Sequence, residues 1–366
     1  MDPRFSSEKS SVVKVVKKLL FFTPIVFLIT LTNYFVDPAC LYRGEGYEKN
    51  IAKILTSGHN IANAVDFDER VVQKCYINDV NARPDILILG SSRSLQIGTV
   101  FFSGKSVVNS SVTEALIPDY LGILQNYDSR GILPKTLILE ASPWLLNAYN
   151  SRQRYHSIDQ DIKLMSQKLG IGTKWIGTSI PPQYLNLFSL SYFQSAVTKG
   201  INQARGIETR GFLATDEKTA DYFIKLKDGS LSWPKQMLVP QTQEHIRRAA
   251  AQMLSENKKA YDFQIDLKRK YILDKLIGYL QEKGVEVVIF LPPYPQATYK
   301  QFLLNPRMKS SLEAEQCFRS LAAKNHVKVI GAYEPSVYGF NDTDFLDGIH
   351  ARVEALKILF KEENII

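Results

Sequence analysis

The chain has 366 residues, enough for one large domain or two moderate ones. Its hydrophobic fraction of 45% and charged fraction of 22% are those of a globular protein and exclude a disordered chain. The formal net charge of +8 suits an anionic partner, such as a membrane surface or an acidic polymer. No basic run and no zinc, helix-turn-helix or RNA-binding signature points to nucleic acid.

Residues 1–18 are polar and basic, with Arg4, Lys9, Lys14, Lys17 and Lys18. Residues 19–36, LLFFTPIVFLITLTNYFV, then run without a charge. That length is at the short end for a transmembrane helix. The preceding basic flank orients it with the N-terminus in the cytoplasm and the rest outside. A cleaved signal peptide competes, but no small-x-small site follows; the basic flank argues against a buried soluble helix. Residues 37–84 read as a stem of helix and loop.

From residue 85 strand and helix signals alternate. Apolar runs at 86–89, 106–109, 136–139, 285–291 and 327–330 read as strands. Helical stretches fall at 113–127, at about 241–283, onward to 325, and at about 352–362. Strands separated by helices predict an α/β parallel sheet, with ligands bound beyond the C-terminal strand ends. Between 143 and 240 the rhythm is lost. This segment, with Trp144, Trp175 and Trp233, reads as an insertion over the strand ends. Its aromatics would form its own small core or stack on sugars. Lys227, Asp228, Gly229 and Ser230 predict a hairpin turn. The three cysteines, Cys40, Cys75 and Cys317, lack metal spacing; Cys40 and Cys75 pair in an oxidising compartment, or all three are free thiols.

The run 86–89 breaks at Gly90, which allows a tight turn, and Ser91 and Ser92 then begin an expected helix. A serine there has helical N–H groups pointing toward it, which suits a nucleophile beside an oxyanion site. A serine needs a base. Of the five histidines, His350 stands out, because Asp347 precedes it by three residues across a Gly turn and is able to accept from the imidazole. The competing reading has Asp347 capping a helix and His350 on the surface.

Gly90-Ser91-Ser92 near the first strand and Asp347-x-x-His350 before the last helix resemble the SGNH (GDSL-like) hydrolase superfamily. The membrane-anchored branch is more similar, with the D-alanyl transfer protein of lipoteichoic acid synthesis and the alginate acetylation proteins. The Asn33-Tyr-Phe-Val-Asp37-Pro38 exit and the Ser142-Pro143 strand end resemble it too. The resemblance implies a three-layer, flavodoxin-like sheet with Ser92 as nucleophile, Asp347 as acid and His350 as base. Ser91 replaces the usual acidic residue and is the alternative nucleophile. The middle blocks depart from the pattern. Oxyanion donors are therefore expected from the Ser92 N–H, Ser111 or Asn109, with Ser142 also at the site. Arg93 meets an anionic substrate group or lies solvated.

Three functions follow. The first is an extracytoplasmic O-acyltransferase or esterase, acetyl or D-alanyl, acting on a cell-envelope polysaccharide or teichoic-type polymer. No cofactor is expected, and a polytopic membrane acyltransferase is the expected partner, since no motif binds nucleotide or coenzyme A. The second is a non-catalytic scaffold beside such an acyltransferase. The third is a metal-dependent esterase using Asp342, Asp344, Asp347 and His350.

Overall fold

The structure, a computed structural model, describes residues 3–37, 42, 46–64, 67–149, 154–173, 186–205, 212–363 and 365, with side chains at all of these except 3–19, 202–203 and 258–259. Cys40 and Trp175 lie outside the described residues. The chain forms two compact units, one of residues 1–47, 65–67 and 178–211, the other of the remainder.

Among its described residues the larger unit carries nine strands: β1 Asn60–Ala62, β2 Ile86–Leu89, β3 Val107–Asn109, β4 Thr136–Glu140, β5 Leu213–Thr215, β6 Ile224–Lys225, β7 Leu231–Ser232, β8 Glu286–Leu291 and β9 Lys328–Gly331. Five form a parallel sheet in the order β3-β2-β4-β8-β9. This is an α/β protein. The five expected strands are all present, because each is apolar on both faces. Leu87, Leu89, Leu137, Leu139, Val287 and Ile289 face the helices Ile117–Ser129, Leu267–Glu282 and Lys309–Lys324. Ile86, Ile88, Ile138, Val288, Phe290 and Ile330 face Phe101, Phe102 and the helix Val353–Glu362. Burying one such side chain is worth roughly 1.5–3 kcal/mol, so the period-two alternation fixes the register.

The sheet grows from β2 outward to β3, then reverses to β4 on the other side of β2. Such a reversal opens a crevice beyond the C-terminal strand ends, between β2 and β4. Gly90 and Glu140 stand at those two ends.

A second sheet, antiparallel in the order β5-β1-β6-β7, changes the reading of the stem and the insertion. Strand β1, from the expected stem, pairs with both β5 and β6. The helix Glu69–Asp79 is also fastened down, since the buried Arg70 Nε donates to Asp119 Oδ1 at 2.8 Å. Part of the insertion joins the core rather than covering strand ends: Ile158, Ile162 and Met165 are buried in the main cluster. The hairpin at 227–230 forms as expected, joining β6 to β7.

The smaller unit contains the helices Pro3–Val36 and Leu190–Ala204. Asn33 Nδ2 lies 2.9–3.1 Å from the carbonyls of Asn186, Leu187 and Ser189. The Asp37 carboxylate accepts from Tyr192 Oη at 2.7 Å and Tyr42 N–H at 2.8 Å. Leu20, Phe21, Phe22, Ile25 and Phe27 are exposed. Among the described residues no helix is long and apolar enough to cross a membrane; the segment 19–36 has its side chains described only from Leu20.

Candidate active site

Residues 91–96 after β2 form a succession of turns, and only a short 3-10 helix follows at Thr99–Phe101. The expected helix behind Ser92 is absent. Its place is taken by i→i+3 bonds, Ser94 N–H to Ser91 O and Ile97 N–H to Ser94 O, each 3.0 Å. No helix terminus therefore points at Ser92. Gly90 serves close approach: a Cβ there would sit 2.6 Å from Glu140 Cβ and 2.7 Å from Ser94 Oγ.

Glu140 organises the turn. Its fully buried carboxyl group accepts from Ser91 N–H at 2.8 Å, Ser91 Oγ at 2.6 Å, Ser94 Oγ at 2.6 Å and Ser142 Oγ at 2.5 Å. Ser91 is thus buried and turned into the protein. Ser92 is the one residue of 91–98 that stays partly exposed.

Ser92 Oγ lies 2.9 Å from His350 Nε2, and His350 Nδ1 lies 2.8 Å from Asp347 Oδ2. Asp347 Oδ1 accepts from the backbone N–H groups of Ile349 at 2.8 Å and His350 at 2.9 Å. One carboxylate thereby shapes its own loop and orients the imidazole. Burial opposes ionisation of Asp347. The neighbouring His350, its ring hydrogen bond and the two backbone N–H bonds outweigh this and hold the carboxyl below the usual carboxylate range. The loop is clamped from outside as well. Thr298 Oγ1 donates to Gly348 O at 2.7 Å and Gln96 Nε2 to Ala351 O at 3.0 Å, while within the loop Leu346 N–H donates to His350 O at 2.8 Å. The three groups come from the ends of β2 and of the loop before the last helix, held on rigid supports.

The other expected site residues do different work. Arg93 is 2% exposed. Its Nη2 donates to the carbonyls of Pro292 and Pro293 at 2.8 and 2.7 Å, its Nε to Ile349 O at 3.3 Å, and its guanidinium lies 3.8 Å over the Tyr294 ring. It ties the Ser92 turn to the end of β8 and to the His350 loop, and does not face a substrate or solvent. Asn109 Nδ2 donates to Ser94 O and Ile97 O at 2.8 and 2.7 Å, while its Oδ1 accepts from Ser111 N–H at 2.8 Å. Both the Asn109 side chain and the Ser111 N–H are therefore committed to internal partners. The Ser111 hydroxyl is buried without a partner among the described residues. Ser142 Oγ bridges, donating to Glu140 and accepting from Arg93 Nη1 at 3.4 Å. The Ser92 N–H has no acceptor among the described residues.

The metal reading loses its donors. Asp342 Oδ1 accepts from Ala297 N–H at 2.9 Å and Asp344 Oδ2 from Asn341 N–H at 2.8 Å, so both carboxylates cap backbone. Among the described residues no three His, Cys, Asp or Glu side chains gather as a metal site. Among the remaining histidines, His59 pairs with Asp216 and His156 with Asp159.

Two contributors were not expected. Glu140 is one, and an acid ending a buried strand of Leu137, Ile138 and Leu139 is its signal in the sequence. Trp233, 8% exposed, packs against His350 with ring centroids 5.0 Å apart. The fold and site define an α/β protein with a Ser-His-Asp relay at the switch point of a five-strand parallel sheet. No protein-family model matches the chain. No curated protein matches it either.

Proposed function

We propose that this protein is a serine-dependent acyl-transfer enzyme with an SGNH-like fold. It transfers or hydrolyses an O-acyl ester, acetyl or D-alanyl, on a cell-envelope polysaccharide or teichoic-type polymer. The observation that carries the reading is the continuous relay Ser92–His350–Asp347, with both links within hydrogen-bond distance. Ser92 Oγ attacks the acyl carbonyl while His350 Nε2 takes its proton. The Ser92 N–H faces the developing oxyanion. His350 returns the proton to the leaving oxygen, and the acyl group remains on Ser92. His350 then removes a proton from the acceptor hydroxyl, or from water, which attacks the acyl-Ser92 carbonyl and regenerates the serine.

The uncharged segment 19–36 behind its basic flank supports a membrane anchor, with the α/β unit outside the cytoplasm. A polytopic membrane acyltransferase would then supply the acyl group. Labelling with a fluorophosphonate probe tests the chemistry: the wild type labels on Ser92, and Ser92→Ala does not.

A second reading, a non-catalytic scaffold, is favoured by one feature. Asn109 and Ser142 are fully occupied inside the protein, so neither is free to serve the oxyanion, and the buried Ser111 hydroxyl is the side-chain donor of the middle blocks left without a partner among the described residues. Absence of labelling in the folded wild type would select it.

A further inference from the structure

The relay fixes His350 at its two nitrogens only, and a third contact comes from a hairpin that the acyl-transfer chemistry does not otherwise use. Trp233 follows β7 directly, and its ring stands 5.0 Å from the His350 ring at 57°. Phe223, just before β6, also packs on the indole, edge-on at 5.5 Å. The hairpin is fastened to the Ser92 side of the site with unusual economy. Asp228 O accepts from Asn109 N–H at 2.7 Å, and Asp228 Oδ2 accepts from the N–H and hydroxyl of Thr99, each at 2.7 Å. Leu231 N–H donates to Leu95 O at 2.7 Å. The buried Lys225 Nζ closes the turn on Gly229 O at 3.0 Å. Gly229 has φ +82°, and a Cβ there would lie 2.2 Å from Asn109 O.

We infer that Trp233 is a positioning residue for His350, and that the antiparallel hairpin β6–β7 exists at this site to deliver it. The inference rests on the relay proposed above but not on the substrate. Two bonds along the Nδ1–Nε2 direction leave the ring free to rock about that line. The tilted indole packed against the ring opposes that rocking. When the Ser92 proton arrives, the imidazolium lies 5.0 Å, centroid to centroid, from the indole, within the roughly 6 Å over which an aromatic ring attracts a cation. The charged groups on the elements around His350 are Asp347 on its own loop, Arg93 on the Ser92 turn, Arg247 on the helix Gln243–Glu256, Arg352 just beyond the loop, and Lys225 and Asp228 on the hairpin. Of these charged groups only Asp347 bonds the ring among the described residues.

A protonated imidazole beside an indole quenches its emission. In the full-length protein, tryptophan emission should fall reversibly on acidification, and that step should vanish in both His350→Gln and Trp233→Phe. The same step persisting in His350→Gln overturns the contact. In turnover of an activated ester, Trp233→Leu should lower kcat by about tenfold with KM altered less than about twofold, and Trp233→Phe should restore most of it. Gly229→Ala, which touches neither Ser92 nor His350, should reproduce the loss, and the double variant should lose no more. Wild-type kcat in a folded Trp233→Leu also overturns the inference. If the wild type turns over no ester, the proposed activity fails while the emission step still decides the contact.

Discussion

Glu140→Ala removes the acceptor on which the Ser92 turn is built. Four donors lose their partner: the Ser91 N–H and the hydroxyls of Ser91, Ser94 and Ser142. The three hydroxyls are able to rotate toward other acceptors, whereas the backbone N–H is not. One stranded buried donor costs about 1–3 kcal/mol, and the emptied space around a fully buried side chain adds to it. Ser142 also stops linking Glu140 to the buried Arg93 guanidinium. A loss of about 4 kcal/mol is the sum of these, which lowers the melting temperature by about 7 °C for a unit of this size. Glu140→Gln keeps the volume and one acceptor and should cost about 1–2 kcal/mol. Thermal unfolding followed by circular dichroism measures both. Fluorophosphonate labelling, run well below the transition, should slow in the same order. A Glu140→Ala protein that melts within about 1 °C of wild type and labels at the wild-type rate would refute the hub.

Asn109→Ala should destabilise by about 2–4 kcal/mol in denaturant unfolding, because two buried carbonyls and the Ser111 N–H lose a partner; unchanged stability with abolished labelling would make Asn109 an oxyanion donor instead. The folded-state carboxyl of Asp347 titrates below its unfolded value. Its contribution to stability is thus present above about pH 4 and is lost as pH falls through the depressed value. The stability gap between wild type and Asp347→Asn should accordingly narrow between about pH 5 and pH 3, read by urea unfolding at each pH; a gap that is constant or widens on acidification contradicts the assignment. For topology, protease added to intact spheroplasts should digest the α/β unit, and full protection would sink the anchor orientation.

The five parallel strands were legible because a strand buried on both faces is a short apolar run closed by a breaker. The approach of Ser92, Asp347 and His350 was legible because two short blocks carry them, one at the end of β2 and one in the loop before the last helix. What failed was the assignment of partners. Arg93, Asn109 and Ser142 are polar residues at strand ends, and a sequence does not say whether such a group faces a ligand or an internal carbonyl. Here the tight turns after β2 expose many backbone groups that only these side chains reach. The helix expected after Ser92 lost to those turns once Glu140 captured the Ser91 N–H and three hydroxyls. Strand β1 pairs with β5 and β6 from some 150 residues later, a match that short strands with ordinary composition do not announce. The hairpin turn itself was readable from Asp228 and Gly229, but its docking on Thr99 and Asn109 was not.

The central claim is that Ser92 is the residue that carries the acyl group. Intact-mass analysis of the protein quenched in acid during reaction with an activated acyl ester, followed by peptide mapping, tests it most directly. The account predicts a single acyl adduct on the peptide and side chain of Ser92, absent in Ser92→Ala, retained in Ser91→Ala and formed much more slowly in His350→Gln. An adduct on Ser91, or none at all on a folded wild-type chain that hydrolyses the ester, would contradict it.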